Sequence, residues 1–204
     1  YNASAILFEN LAAGRGDRPA LHGDFGTVSY AALCADAARL GNWLTAQGLR
    51  RGDRVLMLLD DTPAYPAAIF GAMRAGFVPV LVNTLSPADL VAYYLEDSAA
   101  RVAVVEAALA DLLPASAEGM ALDVVLVANG AAPVGGAFSV VSWDGALSGQ
   151  PDTLDAADTG RDEMAFWMYS SGSTGRPKGI VHLQHDMAST QDSYGDHLLR
   201  LSAD

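Results

Sequence analysis

Cysteine is almost absent from this sequence, and basic residues are scarce. With Cys34 as the one cysteine among 204 residues, the chain can form neither an internal disulfide framework nor a cysteine-rich metal site. Acidic residues outnumber basic residues 24 to 12, which gives a net charge of −12. Because such a chain repels phosphate backbones, we expect no nucleic-acid partner. An anionic ligand would have to be bound by local amides, hydroxyls and a few placed cations.

Long apolar runs and targeting signals are also lacking. The longest uncharged stretch, residues 124–143, contains Asn129, Pro133 and three glycines, which is typical of strands and turns. The first residues show no basic region followed by an apolar run. We therefore expect no membrane contact and a cytoplasmic location. Neither Tyr1 nor Asp204 resembles a natural end, so we expect both to be arbitrary cut points.

What the sequence does contain is a regular alternation of apolar segments. Hydrophobic residues make up 51% and charged residues 18%, enough for a folded core. The pattern predicts strands at 54–59, 78–82, 101–105, 123–127, 138–141, 164–169 and 180–183, and a hairpin at 20–29. Helices are predicted at 2–14, at 30–47 with Ser29 as its cap, at 62–76, from Ser86 and Pro87 onward with Ser86 as the cap and Pro87 in the first turn, and at 184–199. This order predicts an α/β fold, a mostly parallel sheet with flanking helices.

An acidic segment interrupts this pattern. Residues 144–163 include six acidic residues, and Arg161 is the one basic residue among them. Because charge runs are usually solvated, we predict an exposed connecting loop.

The most informative segment is the polar run 170–179 between two predicted strands. Three serines and a threonine supply hydroxyl groups, while Gly172 and Gly175 allow positive φ and close approach. Successive N–H groups can then point into one concavity that suits phosphate oxygens, and Arg176 and Lys178 add positive charge. A plain polar turn is the alternative. The run is not a Walker loop, because Arg176 and Pro177 separate Gly175 from Lys178 and a strand follows.

The run from Tyr169 to Gly179 resembles the phosphate-binding signature of the adenylate-forming superfamily: acyl-CoA synthetases, luciferases and the adenylation domains of peptide synthetases. Residues 65–82 resemble the helix-then-strand segment upstream of that loop, and residues 27–30 and 48–55 fit as well. The resemblance covers essentially the whole chain in order. Within the superfamily, segments 2–17 and 180–201 are most similar to benzoate-type aryl-CoA ligases.

The resemblance implies a two-step reaction with Mg-ATP and CoA as co-substrates and no tightly bound cofactor in this chain. A carboxylate, benzoate or a related aryl acid, forms an acyl-adenylate with release of pyrophosphate, and CoA then forms the thioester. By the same resemblance, the residues that bind the ATP phosphates are Ser170, Ser171, Gly172, Ser173, Thr174, Gly175 and Lys178.

The resemblance also implies that much of the machinery lies elsewhere. Family members continue well beyond the position of Asp204, so the catalytic residues are expected downstream, together with the acid pocket and a small C-terminal domain. Residues 1–204 are then a partial N-terminal domain, inactive by itself and able to form a homo-oligomer.

Several alternatives stay open at this point. A fatty acyl-CoA synthetase, an amino-acid adenylation domain and a non-catalytic nucleotide-binding module fit the same pattern, whereas a P-loop kinase or ATPase is disfavoured. No metal site is predicted, because His182, His185 and His197 lack a zinc-site pattern. Trp167 and Tyr169, which alternate in a strand, are predicted to pack in the core.

Overall fold

A helix and a two-stranded hairpin precede the main sheet. A computed structural model describes residues 1–116, 118–131, 138–170 and 175–200. Helix α1 (Ala5–Ala12) is followed by the antiparallel strands β1 (Pro19–Gly23) and β2 (Gly26–Ser29). Helix α2 (Tyr30–Ala46) begins where the Ser29 hydroxyl accepts a hydrogen bond from the Ala32 amide. Such a serine cap satisfies one free N–H group of the first turn, as the sequence predicts.

The main sheet of the described residues has seven strands. They are β3 (Arg54–Leu58), β4 (Val78–Leu81), β5 (Val102–Glu106), β6 (Val124–Ala128), β7 (Ser139–Ser142), β8 (Met164–Ser170) and β9 (Lys178–Leu183). Their spatial order is β7-β6-β5-β3-β4-β8-β9. All neighbours pair in parallel except β8 and β9, which form an antiparallel edge. The predicted α/β class with a mostly parallel sheet is confirmed.

Helices cover both faces of this sheet. Helix α3 (Ala64–Arg74) lies with α2 on one face, where Val55 and Met57 of β3 join their core. Helix α4 (Ala88–Ser98) covers the other face and packs on Leu56 and Leu58. Since neighbouring residues of β3 are buried on opposite faces, the strand is apolar throughout rather than alternating. None of the described helices has both the length and the apolar character that crossing a membrane requires.

Two short helices were not predicted, and the start of α4 differs from the prediction. A 3-10 helix (Ala107–Leu112) follows β5, and α5 (Trp143–Leu147) occupies the start of the predicted acidic loop. The predicted serine cap of α4 is wrong: Pro87, with an extended ψ of 162°, holds that position and Ser86 is buried. A turn that starts at Asn83 explains the shift, because Asn83 accepts the Ser86 amide with its carbonyl.

The predicted C-terminal helix starts later and changes geometry. Helix α6 (Asp186–Thr190) continues into π-helical turns (Gln191–Leu199). The Gln184 side chain is buried instead and accepts the Ala3 amide at 2.7 Å. This contact links the end of β9, at the antiparallel edge of the main sheet, to the start of the chain.

The remainder of the acidic segment is an irregular, mostly exposed connection, as predicted, but it is anchored at several points. Arg74 donates to the Leu154 carbonyl at 2.5 Å, and Arg74 in turn accepts the Ala157 amide with its backbone carbonyl. Arg161, the one basic residue within this segment, is not the only counter-charge of its acids. Basic side chains distant in sequence also pair with the acids: Arg39 with Asp152, and Arg51 with Glu163.

Candidate phosphate-binding site

The predicted phosphate loop connects β8 to β9 at one edge of the sheet. Ser170 is the last residue of β8 and pairs with Lys178, the first residue of β9, so these two residues close the base of the loop. Of the seven predicted site residues, the structure describes three: Ser170, Gly175 and Lys178. The other four (Ser171, Gly172, Ser173 and Thr174) lie outside the described residues.

Part of the predicted loop belongs to regular structure. The second strand begins at Lys178 rather than at Ile180, and Gly179 pairs with Tyr169. In the antiparallel pair of β8 and β9, residues lie directly opposite each other, and this pairing continues to Ser170 and Lys178. Gly175 keeps a φ of +121°, which a residue with a side chain rarely adopts, so the expected glycine role is found at this position.

The two cations of the loop have different environments. Lys178, the only lysine in the sequence, has an exposed side chain and no ion pair or side-chain hydrogen bond among the described residues. The Arg176 guanidinium instead lies over the Tyr93 ring, 5.1 Å from the ring centroid, in a cation–π contact. Lys178 is therefore available to an anion without first breaking an ion pair.

An aromatic cluster supports the base of this loop. Tyr169 lies on Tyr94, with ring centroids 4.4 Å apart, and meets Tyr93 edge-on at 6.3 Å. Tyr93 donates its hydroxyl to the Pro177 carbonyl at 3.0 Å, while Tyr169 donates to the Asp97 carboxylate at 2.6 Å. One face of α4 thus contacts Tyr169, which precedes the loop, and Pro177, which lies near the end of the loop.

The Tyr169 hydroxyl is strongly perturbed in this cluster. Burial raises its pKa well above the ordinary value, and the hydrogen bond to Asp97 and the charge of that carboxylate raise it further. Tyr169 is consequently a neutral hydrogen-bond donor at any physiological pH. The expectation that it is a core residue is correct in part, since its ring is half-buried, but its hydroxyl makes a specific polar contact.

Sequence reasoning did not identify α4 as part of this site. The available signal was a Tyr-Tyr pair shortly before an acid, which places Tyr93 and Asp97 one helical turn apart. Nothing local indicated that this turn faces the loop. That neighbourhood arises because β8 pairs with β4, immediately before α4 in the chain.

The histidines have structural contacts. His182 stacks on Phe166, with centroids 4.5 Å apart and planes 9° from parallel, and His185 donates from Nδ1 to the Arg161 carbonyl at 2.8 Å. Across the described residues, no group of three or more histidine, cysteine, aspartate or glutamate side chains has a geometry suited to a metal ion. Cys34 is buried beside Leu7, as expected for a packed side chain.

Comparison with protein families gives one match that spans almost the whole chain. The family described as AMP-binding enzyme matches residues 8–203. Among curated proteins, the 3-hydroxybenzoate–CoA ligase of Aromatoleum sp. (strain CIB) is 42% identical over 181 residues, covering 88% of this chain and 34% of that protein. The benzoate–CoA ligase of Thauera aromatica is 39% identical over 202 residues, covering 98% of this chain and 37% of that protein.

Solved structures give the same result. The anthranilate CoA ligase AuaEII in complex with anthranoyl-AMP superposes with a TM-score of 0.87 at 30% identity, over 98% of this chain and 38% of that one. A benzoate CoA ligase from Burkholderia xenovorans LB400 superposes with a TM-score of 0.85 at 30% identity, over 99% and 38%. The chain spans about a third of the length of the curated relatives it matches.

Proposed function

Because the chain belongs to the family of AMP-binding enzymes, we propose that it forms the ATP-phosphate-binding part of a carboxylate–CoA ligase that acts on an aryl acid. The observation that supports this most directly is the loop hairpin. Its base is closed by Ser170 and Lys178, and the chain's only lysine is left without a counter-ion among the described residues.

The proposed reaction has two steps. A carboxylate oxygen attacks the α-phosphorus of ATP, the bond to the bridging oxygen breaks, and pyrophosphate leaves with an acyl-adenylate as the product. The thiol of CoA then attacks the acyl carbon and expels AMP. In both steps the enzyme mainly supplies positioning and charge stabilisation. Mg²⁺ accompanies ATP in this proposal, as a counter-ion that reduces the negative charge of the phosphates.

Within this chain, the loop residues share the task of binding the β- and γ-phosphates. Hydroxyls and amides of Ser170, Ser171, Ser173 and Thr174 donate to phosphate oxygens, and Gly172 and Gly175 allow the backbone to approach. Lys178 neutralises the departing pyrophosphate, the step at which negative charge accumulates. A local device of this kind is needed because the net charge of −12 gives no general attraction for a triphosphate.

The chain contributes only part of the proposed active site. We place residues 1–204 in the first part of a large N-terminal domain. The acid pocket, the adenine and ribose contacts and the small C-terminal domain with its catalytic lysine then belong to the remainder of the parent enzyme. The acid, ATP and CoA are substrates, so no resident cofactor is proposed. The cytoplasmic location and the homo-oligomer stay predictions.

The choice of an aryl acid follows the relatives. Curated proteins that are 34 to 42% identical to this chain are named as ligases of benzoate or hydroxybenzoates. A long-chain-fatty-acid–CoA ligase of Mycobacterium tuberculosis is 32% identical over a shorter alignment, and a linear gramicidin synthase of Brevibacillus parabrevis is 30% identical. The ranking favours an aryl acid over a fatty acid or an amino acid.

The proposal is tested on the protein that the complete reading frame encodes. Pyrophosphate release and CoA thioester formation are measured with benzoate, 3-hydroxybenzoate, octanoate and phenylalanine at equal concentrations. We expect CoA-dependent thioester formation with the two aryl acids. Thioester formation with octanoate alone would replace the aryl assignment with a fatty acid, whereas ATP binding without turnover of any acid would favour a non-catalytic module.

A further inference from the structure

The contact between α4 and the loop hairpin fixes a specific peptide group. Pro177 has no N–H group, so its carbonyl is its one backbone hydrogen-bonding atom, and Tyr93 donates to that atom. The same planar peptide unit contains the amide of Lys178. A hydrogen bond that orients the Pro177 carbonyl therefore also orients the Lys178 backbone where this residue leaves the loop.

The same tyrosine holds the neighbouring cation. Arg176 lies over the Tyr93 ring, so one side chain binds a carbonyl through its hydroxyl and a guanidinium through its ring. Arg176 is thereby kept against α4, while Lys178 has no ion pair among the described residues. Tyr93 therefore holds Arg176 and Pro177, at the C-terminal end of the loop, in the absence of a ligand.

Helix α4 is itself firmly anchored. Val91 and Leu95 are fully buried in the core, and Tyr94 is nearly so. At the end of the helix, Arg54 of β3 donates to the Ser98 carbonyl at 2.6 Å. Tyr93 thus connects the loop to the central parallel sheet, which is the most deeply packed part of the described fold.

We propose that Tyr93 is a positioning residue for the triphosphate of ATP, acting through the Pro177–Lys178 peptide and through Arg176. Asp97 supports β8, the other strand of the loop hairpin, by accepting a hydrogen bond from the Tyr169 hydroxyl. Neither side chain is expected to touch ATP. They hold the ends of the loop in place before ATP binds, so that less conformational entropy is lost on binding. Such preorganisation increases the affinity for ATP. The inference rests on the proposed function.

The test compares ATP with AMP, because AMP lacks the β- and γ-phosphates. The protein encoded by the complete reading frame is prepared as wild type and as Tyr93→Phe, which removes only the hydroxyl. Tyr30→Phe is the matched control, since Tyr30 is also half-buried but lies on α2, and its hydroxyl has no hydrogen bond within the described part of the chain. Both ligands are titrated by calorimetry, and the thermal midpoint of each variant is recorded.

We expect Tyr93→Phe to bind ATP about three- to tenfold more weakly, the effect of losing one hydrogen bond of ordinary net strength. Its AMP affinity should be unchanged, and Tyr30→Phe should match wild type for both ligands. Equal weakening for ATP and AMP would show a merely structural role and overturn the inference, as would wild-type ATP affinity in Tyr93→Phe. A wild-type protein that binds no ATP would instead overturn the proposed function, and the positioning role with it.

A second pair of variants tests the support of β8, the other strand of the loop hairpin. Asp97→Ala removes the acceptor of the Tyr169 hydroxyl, and Glu96→Ala removes an exposed acid from the adjacent position of α4. We expect weaker ATP binding, by about two- to fivefold, for Asp97→Ala alone. Identical ATP affinities in the two variants would contradict the supporting role assigned to Asp97.

Discussion

At the residue scale, the decisive contrast is between the two cations of the loop. Arg176 rests on an aromatic ring, while Lys178 is exposed and unpaired among the described residues. A guanidinium stacks well on aromatic faces, whereas a lysine ammonium is a compact charge on a flexible stem. In the proposed reaction, Lys178 is therefore the mobile charge that follows the departing pyrophosphate.

Replacing this lysine should therefore weaken the binding of ATP. In the protein encoded by the complete reading frame, Lys178→Ala should lower ATP affinity about ten- to hundredfold, the range expected for a charge-assisted hydrogen bond. Calorimetric titration measures the effect. Arg50→Ala is the matched control, because Arg50 is an exposed cation that precedes β3, at the opposite end of the parallel strands from the loop that follows β8. Equal affinities of Lys178→Ala and wild type would remove Lys178 from the site.

Tyr169 gives a prediction about pH. Because burial and Asp97 raise its pKa in the folded state, the folded pKa exceeds the unfolded value of about 10. The resulting stabilisation is fully present below about pH 10 and is lost as the pH rises toward and through the folded pKa. We expect the free energy of unfolding to fall more steeply between about pH 10 and pH 11.5 in wild type than in Tyr169→Phe.

Urea unfolding at a series of pH values, followed by circular dichroism, measures these slopes. Tyr194→Phe is the control, since Tyr194 is 53% exposed, and the slope of this variant should equal that of wild type. Parallel slopes for Tyr169→Phe and wild type would show that folding does not raise the pKa of Tyr169.

At the element scale, two helices approach so closely that only glycine fits between them. A methyl group at Gly71 of α3 would overlap the Ala37 carbonyl of α2, and one at Gly41 of α2 would lie 2.8 Å from the Gly71 carbonyl. Glycine normally lowers helix stability, by about 1 kcal/mol relative to alanine. Its presence in both helices is explained by this backbone-to-backbone contact.

The contact predicts that Gly71→Ala destabilises the fold although alanine favours helix formation. Overpacking in a close-packed region costs about 1–3 kcal/mol, so the free energy of unfolding should fall by about that amount. Denaturant titration measures it. Gly16→Ala is the control, because a methyl group there meets its neighbours at an ordinary 3.6 Å. A Gly71→Ala variant with a higher free energy of unfolding than wild type would mean that α2 and α3 can move apart without loss of stability.

The strands show how far sequence reasoning reached. Near-continuous apolar runs predicted β3, β4, β5 and β6 within two residues at each end, because strands buried on both faces have little choice of residue. The cap of α4 and the start of β9 were misplaced, since a turn at Asn83 and the pairing of Ser170 with Lys178 decide them. The acidic segment was predicted as exposed, but its anchors at Arg74, Arg51 and Arg39 come from residues about 80 or more positions away.

At the scale of the whole molecule, the chain supplies the proposed phosphate loop and its support but only part of the proposed catalytic machinery. The adenylate-forming step needs groups positioned around the acid and the α-phosphate, and the acyl-transfer step needs groups positioned around the acyl carbon and the thiol. The site residues proposed for this chain are assigned only to the β- and γ-phosphates. The apolar side chains Ile180 and Val181 of the edge strand β9 are more than 40% exposed.

We therefore expect the 204-residue chain by itself to release no detectable pyrophosphate with benzoate and ATP. The protein encoded by the complete reading frame should do so under the same conditions. A coupled pyrophosphate assay with both preparations, each checked for folding by circular dichroism, makes the comparison. Clear turnover by the chain alone would contradict the placement of the remaining catalytic groups outside residues 1–204.

The sequence by itself determined the α/β class, the order of the elements and the position of the polar loop, because periodicity, glycine spacing and the single lysine are local properties of the chain. Only the tertiary structure decided what surrounds that loop. Strand β8 pairs with β4, so α4 lies against the hairpin, and its tyrosines and Asp97 meet Tyr169, Arg176 and Pro177. Contacts between residues 72 to 84 positions apart depend on the order of the strands in the sheet, and that order is fixed by the packing of the whole core.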